Sequence, residues 1–181
     1  MKLARYILIA LTSILLTGCF TSCSTVPRGF PPTAAILNFD KVDNKVIRGA
    51  QFNQVGLGFL ARNFSTPEKP LTVINLRQAS DTWVEEAPLC KVYGVIYTNV
   101  PESGLFAPKA TDMEKIMAII KSAPGVVYLH CQHGCDRTGT AAACYQIRFN
   151  GMSNADALAD AKTHSISAWL GGMKSFIKHF K

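Results

Sequence analysis

The chain has 181 residues, 48% of them hydrophobic and 17% charged, with a formal net charge of +7. That length holds one domain with a sizeable core, and that apolar fraction excludes a disordered chain. The basic residues are dispersed, so nothing marks a nucleic-acid site, and the modest positive balance suits an anionic substrate or membrane headgroups.

Residues 1–18 have the layout of a targeting segment. Lys2 and Arg5 form a basic start, and Tyr6 to Leu16 is an apolar run too short for a spanning helix. Leu16-Thr17-Gly18-Cys19 resembles the bacterial lipobox. That resemblance implies a signal peptide over 1–18, acylation of Cys19 and an extracytoplasmic, membrane-anchored lipoprotein. Several acyl chains hold a membrane far more firmly than one. Phe20, where an Asp is absent, leans towards the outer membrane of a Gram-negative cell. An uncleaved anchor or an ordinary secretory signal are the alternatives. Loss of residues 1–18 takes Lys2 and Arg5 with it and leaves a charge of +5. Residues 19–34, rich in Ser, Thr and Pro, read as a flexible tether that gives Cys23 no catalytic part. The remaining residues, 35–181, form the folded domain.

Ile36 to Gln51 reads as a hairpin turning at Asp43-Asn44. A helix follows from Asn53 to Arg62. Leu71 to Leu76 is a continuous apolar run, hence a buried strand. Asp81 to Tyr93 reads as a helix capped by Ser80 or Asp81, with Cys90 on it as a buried small hydrophobe. Val95 to Val100 is the next strand. Thr111-Asp112-Met113-Glu114 has the form of a capping box. Met113, Ile116, Met117 and Ile120 behind it recur at helical spacing, so they form a core face. Pro124-Gly125 ends that helix. Val126 to Leu129 is a strand, Thr138 to Phe149 a helix closed by Asn150-Gly151, and Ser153 opens another that ends near His164. A last helix runs from about Gly172 to Phe180. His164 and His179 are surface or packing residues.

The chemistry gathers in His130-Cys131-Gln132-His133-Gly134-Cys135-Asp136-Arg137-Thr138-Gly139. The order is strand, tight loop, helix start. Such a junction collects free backbone N–H groups and the positive end of a helix dipole, so it is built for an anion. Cys131 opens the loop, where those donors favour a thiolate nucleophile. Arg137 closes it with a planar fork that matches two phosphate oxygens. Thr138 can donate its hydroxyl to the departing thiolate. Gly134 permits the turn, and Gly139 brings the helix close to the sheet. Two rival readings use the same residues. His130, Cys131, His133 and Cys135 form a Cys/His cluster, but four zinc ligands within six residues converge poorly. Cys131 and Cys135 are separated by three residues, unlike the Cys-x-x-Cys of thiol oxidoreductases.

The stretch His130-Cys131-x5-Arg137-Thr138-Gly139 resembles the signature of the cysteine-dependent tyrosine and dual-specificity phosphatases, in its compact bacterial form. Val46 to Gln51 and Asn75-Leu76-Arg77 resemble two further stretches of the same family. The resemblance implies an α/β domain with a central, mainly parallel sheet flanked by helices, as in dual-specificity phosphatases. It implies phosphate monoester hydrolysis through a phosphocysteine, with no cofactor and no metal. Cys131 and Arg137 are then catalytic, and Gln132, His133, Gly134, Cys135, Thr138 and Gly139 bind the substrate phosphate. The loop Pro101 to Leu105 lies where the family carries its general acid, usually an Asp, yet Glu102 is the only carboxylate there. Asp136 is the other candidate, with helix capping or loop bracing as its ordinary role. Arg48 either faces the catalytic mouth or is structural. Arg77 either assists anion binding or pairs with Asp81.

The implied partner is a phosphorylated substrate. A phosphoprotein is the family default, and a phosphorylated lipid, glycan or small molecule is the alternative suited to a membrane-anchored enzyme. Gln132 and Cys135 stand where polyphosphoinositide phosphatases carry lysines, which argues against that headgroup. A non-enzymatic phosphate-binding module is the remaining reading. In an oxidising compartment Cys135 or Cys90 could bridge reversibly to Cys131, provided the α-carbons lie within about 7 Å.

Overall fold

A computed structural model describes residues 35–79 and 86–181. The proposed signal peptide, Cys19, the tether, Ser80 and Asp81 lie outside the described residues. Among the described residues, five strands and six helices follow in the order β1 (Asp40–Lys41), β2 (Val46–Gly49), α1 (Gln54–Phe64), β3 (Thr72–Asn75), α2 (Glu86–Val92), β4 (Ile96–Asn99), α3 (Ala110–Ser122), β5 (Val127–His130), α4 (Asp136–Asn150), α5 (Asn154–Thr163) and α6 (Gly171–His179). The sheet order is β1-β2-β5-β3-β4. Only β1 runs antiparallel; the expected mainly parallel α/β sheet is present.

The hairpin forms because Asp43 Oδ1 accepts from the N–H groups of Lys45 (2.7 Å) and Val46 (2.8 Å), an Asx turn. Alternation along the central strands then sorts the core into two layers. Val46, Ile74, Val127 and Leu129 face α3 and α4, and there the expected stripe of Met113, Ile116, Met117 and Ile120 is buried. Ile47, Val73 and Tyr128 face the other way, against Leu57, Phe59 and Leu60 of α1 and Cys90 of α2. A third cluster joins α4, α5 and α6 through Ala143, Ala157 and Ala161, whose small side chains let these helices approach closely.

Two local expectations are corrected. Thr111 does not cap α3: the Lys109 carbonyl takes the N–H groups of Asp112 and Met113, both at 3.1 Å, so the helix closes its first turn earlier and Thr111 lies inside it. Helix α4 likewise begins at Asp136, ahead of the expected Thr138, which puts Arg137 in its first turn. Gly151 ends α4 at φ +69°. Among the described residues no helix is long and apolar enough to cross a membrane.

In register, Gly49, His130, Asn75 and Asn99 line up as the last residues of four neighbouring parallel strands. Strand β5, last in sequence, inserts between β2 and β3. The crevice beyond the carboxyl ends of a parallel sheet, where the strand order reverses, is where such folds bind ligands.

Candidate active site: an amide-lined loop beyond the central strand

Cys131 follows directly on β5 and is 3% exposed. The carbonyls around it are drawn away from the loop. His130 O accepts from Leu76 N (2.9 Å) and Gln132 O from Gln51 N (3.1 Å). Gly134 O accepts from Arg48 Nη2 (2.8 Å) and Asn38 Nδ2 (3.1 Å). A peptide whose carbonyl is fixed outward turns its N–H inward. No acceptor among the described residues takes the N–H groups of Gln132 to Asp136, which leaves them for an anion. The fifteen-residue helix α4 starts at the same point and adds its positive end. Gly134 sits at φ +75°, and a Cβ there would lie 2.6 Å from Gly49 C and 2.7 Å from Ala50 N, so the loop presses on the end of β2. Its glycine meets both conditions at once.

Arg137 rises from the first turn of α4 and donates through Nη1 to Glu102 O at 3.4 Å. Glu102 is 5% exposed, and its N–H is held by Leu76 O at 3.1 Å. Its carboxyl shares with Arg137, Met113, Thr140 and Met173 a cavity barely large enough for one water. Burial, reinforced by Asp112, pushes the Glu102 pKa up to about 7 against the pull of Lys109 and Arg137. Asp136 is differently placed: its Oδ1 accepts from Ser167 N at 2.6 Å and ties the loop before α6 to the start of α4. Thr138 is fully buried, and its hydroxyl has no partner among the described residues. Gln132 and His133 are exposed at the loop surface, and Cys135 is half-buried at the N-cap of α4. A Cβ on Gly139 would lie 3.5 Å from Arg48 Nη2 and 3.9 Å from Ala161 Cβ on α5.

Arg48 does not face the mouth. It is 1% exposed beneath the loop, where it supports Gly134 from behind and burial lowers its pKa against the raising influence of Asp160, Cys131 and Asp40. Arg77 is also buried and donates to Gln51 Oε1 at 2.9 Å; Asp81, its expected partner, lies outside the described residues. Cys90, Cys131, Cys135 and Cys144 are free thiols. Cys90 packs on the face of the sheet opposite Cys131, and burial beside Glu86 pushes its pKa up to about 12. The sheet therefore rules it out as a partner for Cys131. Among the described residues no group of three or more His, Cys, Asp or Glu is arranged to hold a metal.

Two contributors escape sequence reasoning. Asn38, at φ +50°, donates to Gly134 O, to His164 O (3.2 Å) and to Cys135 Sγ (3.4 Å). Glu86, 1% exposed, meets Gln51, Asn75 and His130 beneath the loop. Neither has a local pattern; only their burial against residues far along the chain marks them.

Comparison with known proteins bears on this geometry. Residues 67–151 match a family model described as "Polymorphic toxin system, DSP-PTPase phosphatase". No curated protein matches the chain. Among solved structures, Tk-PTP in its active form is similar at a TM-score of 0.66 and 19% identity, over 78% of this chain and 93% of that one. The core catalytic domain of the PP-IP phosphatase SIW14 from S. cerevisiae, in complex with citrate, gives 0.65 and 19%, over 80% and 85%. PTPMT1 in complex with PI(5)P gives 0.63 and 20%, over 78% and 93%. These likenesses establish the fold, that of the dual-specificity phosphatases. The family model over residues 67–151, just under half of the chain, is of a DSP-PTPase phosphatase, and the fold agrees with it.

Proposed function

We propose that the chain hydrolyses phosphate monoesters through a phosphocysteine on Cys131. The observation that carries this reading is the run of N–H groups from Gln132 to Asp136 with no acceptor among the described residues, beside loop carbonyls Gln132 O and Gly134 O that are bonded outside the loop. The Cys131 thiolate attacks phosphorus, and the bond from phosphorus to the leaving oxygen breaks. A carboxylic acid protonates that oxygen. Water then attacks the phosphocysteine, giving its proton to the same carboxylate, and inorganic phosphate leaves as the thiolate returns. Loop amides and the Arg137 fork hold the charge of the planar phosphoryl group.

Of the two candidate acids, Glu102 has the better environment. Its burial keeps a proton available near neutral pH, and its own carbonyl already touches Arg137. Asp136 instead spends Oδ1 on Ser167 and serves as a brace.

For substrate, a phosphoprotein with an aromatic or hydroxyl-bearing phosphate is the first reading. Leu105, Phe106 and Trp169 are exposed on the two loops beside Arg137 and Asp136, an apolar rim suited to a leaving group with hydrocarbon or ring character. The same rim favours a second reading, a phosphorylated lipid, and PI(5)P is the ligand in the PTPMT1 complex. Membrane attachment through Cys19 belongs with that second reading. The test is phosphate release from p-nitrophenyl phosphate by wild type and Cys131→Ser. Turnover abolished by the substitution is expected. Absence of turnover in a folded wild type that still binds vanadate or phosphate would make the chain a binding module instead.

A further inference from the structure

We propose that the mouth of the site docks on an anionic lipid surface, with Leu105, Phe106 and Trp169 entering the headgroup layer. The proposal deepens the phosphorylated-lipid reading and rests on it for its catalytic meaning, though not for its test.

The backbone holds these three side chains outward. Ser103 Oγ accepts from Leu105 N (3.2 Å) and Phe106 N (3.1 Å), a hydroxyl-capped turn that stands both residues away from the domain. Leu170 N donates to Ser167 O (3.2 Å) and Gly171 N to Trp169 O (2.9 Å), a tight corner with Trp169 at its tip just ahead of α6. The two loops are seated together: a Cβ on Gly172 would lie 3.3 Å from Ala107 N. They also border the site, since a Cβ on Gly104 would lie 3.9 Å from the Arg137 guanidinium and Ser167 N bonds Asp136. Leu105 is 61% exposed, Phe106 72% and Trp169 71%. Large apolar side chains held in water on adjoining loops mark a surface with a partner.

Shape and charge decide which partner. The cavity under these loops, lined by Ser103, Pro108 and Met173 among others, has room for about one water. The apolar tips therefore project over a filled base and do not line a groove that would seat a peptide. Around them cations outnumber carboxylates. Between Glu102 and Asp112 the one charged residue is Lys109, and from Ala161 to Lys181 there are four lysines and no Asp or Glu. Lys174 Nζ donates to Ala168 O, next to Trp169, and Lys178 is exposed one turn further along α6. Of the nearest acids, Glu102 is buried, Asp112 is half-buried on α3 and Asp136 is bonded to Ser167. Aromatic and aliphatic tips ringed by lysines suit a membrane interface. The rings enter the boundary between headgroups and acyl chains, and the lysines meet lipid phosphates. Seated in this way, the loops bring Arg137 to the layer in which the phosphate of a phosphorylated lipid lies.

The test must separate this rim from any anchor at Cys19, so it reads Trp169 itself. The chain has two tryptophans, Trp83 and Trp169. The full chain carrying Trp83→Phe is mixed with phosphatidylcholine vesicles containing phosphatidylglycerol, with and without lipids brominated near the head of the acyl chain. Trp169 emission should move to shorter wavelength and be quenched by the brominated lipid, and less so on phosphatidylcholine alone. If Trp83→Phe does not fold, the difference in quenching between wild type and Trp169→Phe carries the same information. Lys174→Gln combined with Lys178→Gln should weaken binding to the anionic vesicles roughly fivefold for each charge removed, while turnover of p-nitrophenyl phosphate is unchanged. Trp169 left unquenched overturns the proposal, whether or not the chain sediments with the vesicles. Equal binding by the lysine variant overturns it too, as does a shift produced by a phosphotyrosine peptide and not by vesicles, which would give the rim to a phosphoprotein. Quenching in a chain that releases no phosphate keeps the lipid surface and loses the phosphatase reading; phosphate release without quenching does the reverse.

Discussion

Replacing Gly134 with Ala should damage the site more than any other single methyl group. Two costs add. At φ +75° an L-residue loses about 1–2 kcal/mol relative to its ordinary conformations. The new Cβ would also stand 2.6–2.8 Å from Gly49 C, Ala50 N and Gly49 O, all backbone of one strand end. Ordinary contacts need more than half an ångström beyond that, so either β2 or the loop must move, at about 1–3 kcal/mol. The total, about 2–5 kcal/mol, corresponds to a fall in Tm of roughly 4–20 °C for a domain of this size. Gly151→Ala is the matched control: φ is +69°, but no atom lies within 4 Å of the new methyl. It should lose only the conformational part and keep full turnover of p-nitrophenyl phosphate. Thermal unfolding by circular dichroism and the turnover number, measured side by side, separate the two costs. If Gly134→Ala melts where Gly151→Ala does and retains its activity, the loop is not pressed on β2 and the argument fails.

The Glu102→Gln variant should lose the basic limb of the kcat profile, which in wild type falls near pH 7; a limb left in place would return the acid role to Asp136. The same residue has a stability signature. Its folded-state pKa is raised from 4.5 to about 7, so its contribution is whole below about pH 4.5 and is lost as pH rises through about 7. Glu102→Gln should therefore gain Tm relative to wild type at pH 8 but not at pH 4.5. Asp136→Asn keeps an oxygen for Ser167 N and should retain its Tm, whereas Asp136→Ala should cost about 1.5–3 kcal/mol in urea unfolding. Asn38→Ala removes a donor from Gly134 O and frees Cys135 Sγ, and should lower kcat at least severalfold with KM for the aryl phosphate affected as well. Peptide mapping after peroxide treatment should find no bridge between Cys131 and Cys90, which the sheet keeps apart.

The junction from Cys131 to Arg137 was readable as strand, turn and helix start because the three are adjacent in sequence, and hydrogen bonding and sterics act locally there. The stripe from Met113 to Ile120 was readable for the same reason: periodicity reports a buried face directly. What was unreadable depends on distant pairings. Gly134 O is gripped from Asn38 and Arg48, 96 and 86 residues away. His130 meets Glu86 only because β5 inserts between β2 and β3 and brings α2 over its end. The motif at Thr111 misled because a capping box is conditional on where the chain enters the helix, and the carbonyl of Lys109 had already decided that. Arg48 looked equally at home in a pocket or under it, since a lone arginine in a strand carries no sign of which face it serves.

The stretch ahead of β1 has a mechanical meaning. Ala35 O takes Asn53 N, Leu37 O takes Ala50 N, and Asn38 reaches Gly134 in the loop after β5, so the first described residues are stitched across the back of that loop. Tension on the polypeptide at that end would arrive at Gly134 before it reached any strand of the sheet. Shortening the protein past residue 38 should abolish turnover of p-nitrophenyl phosphate and, because Ile36 is 2% exposed in the core, lower its Tm as well.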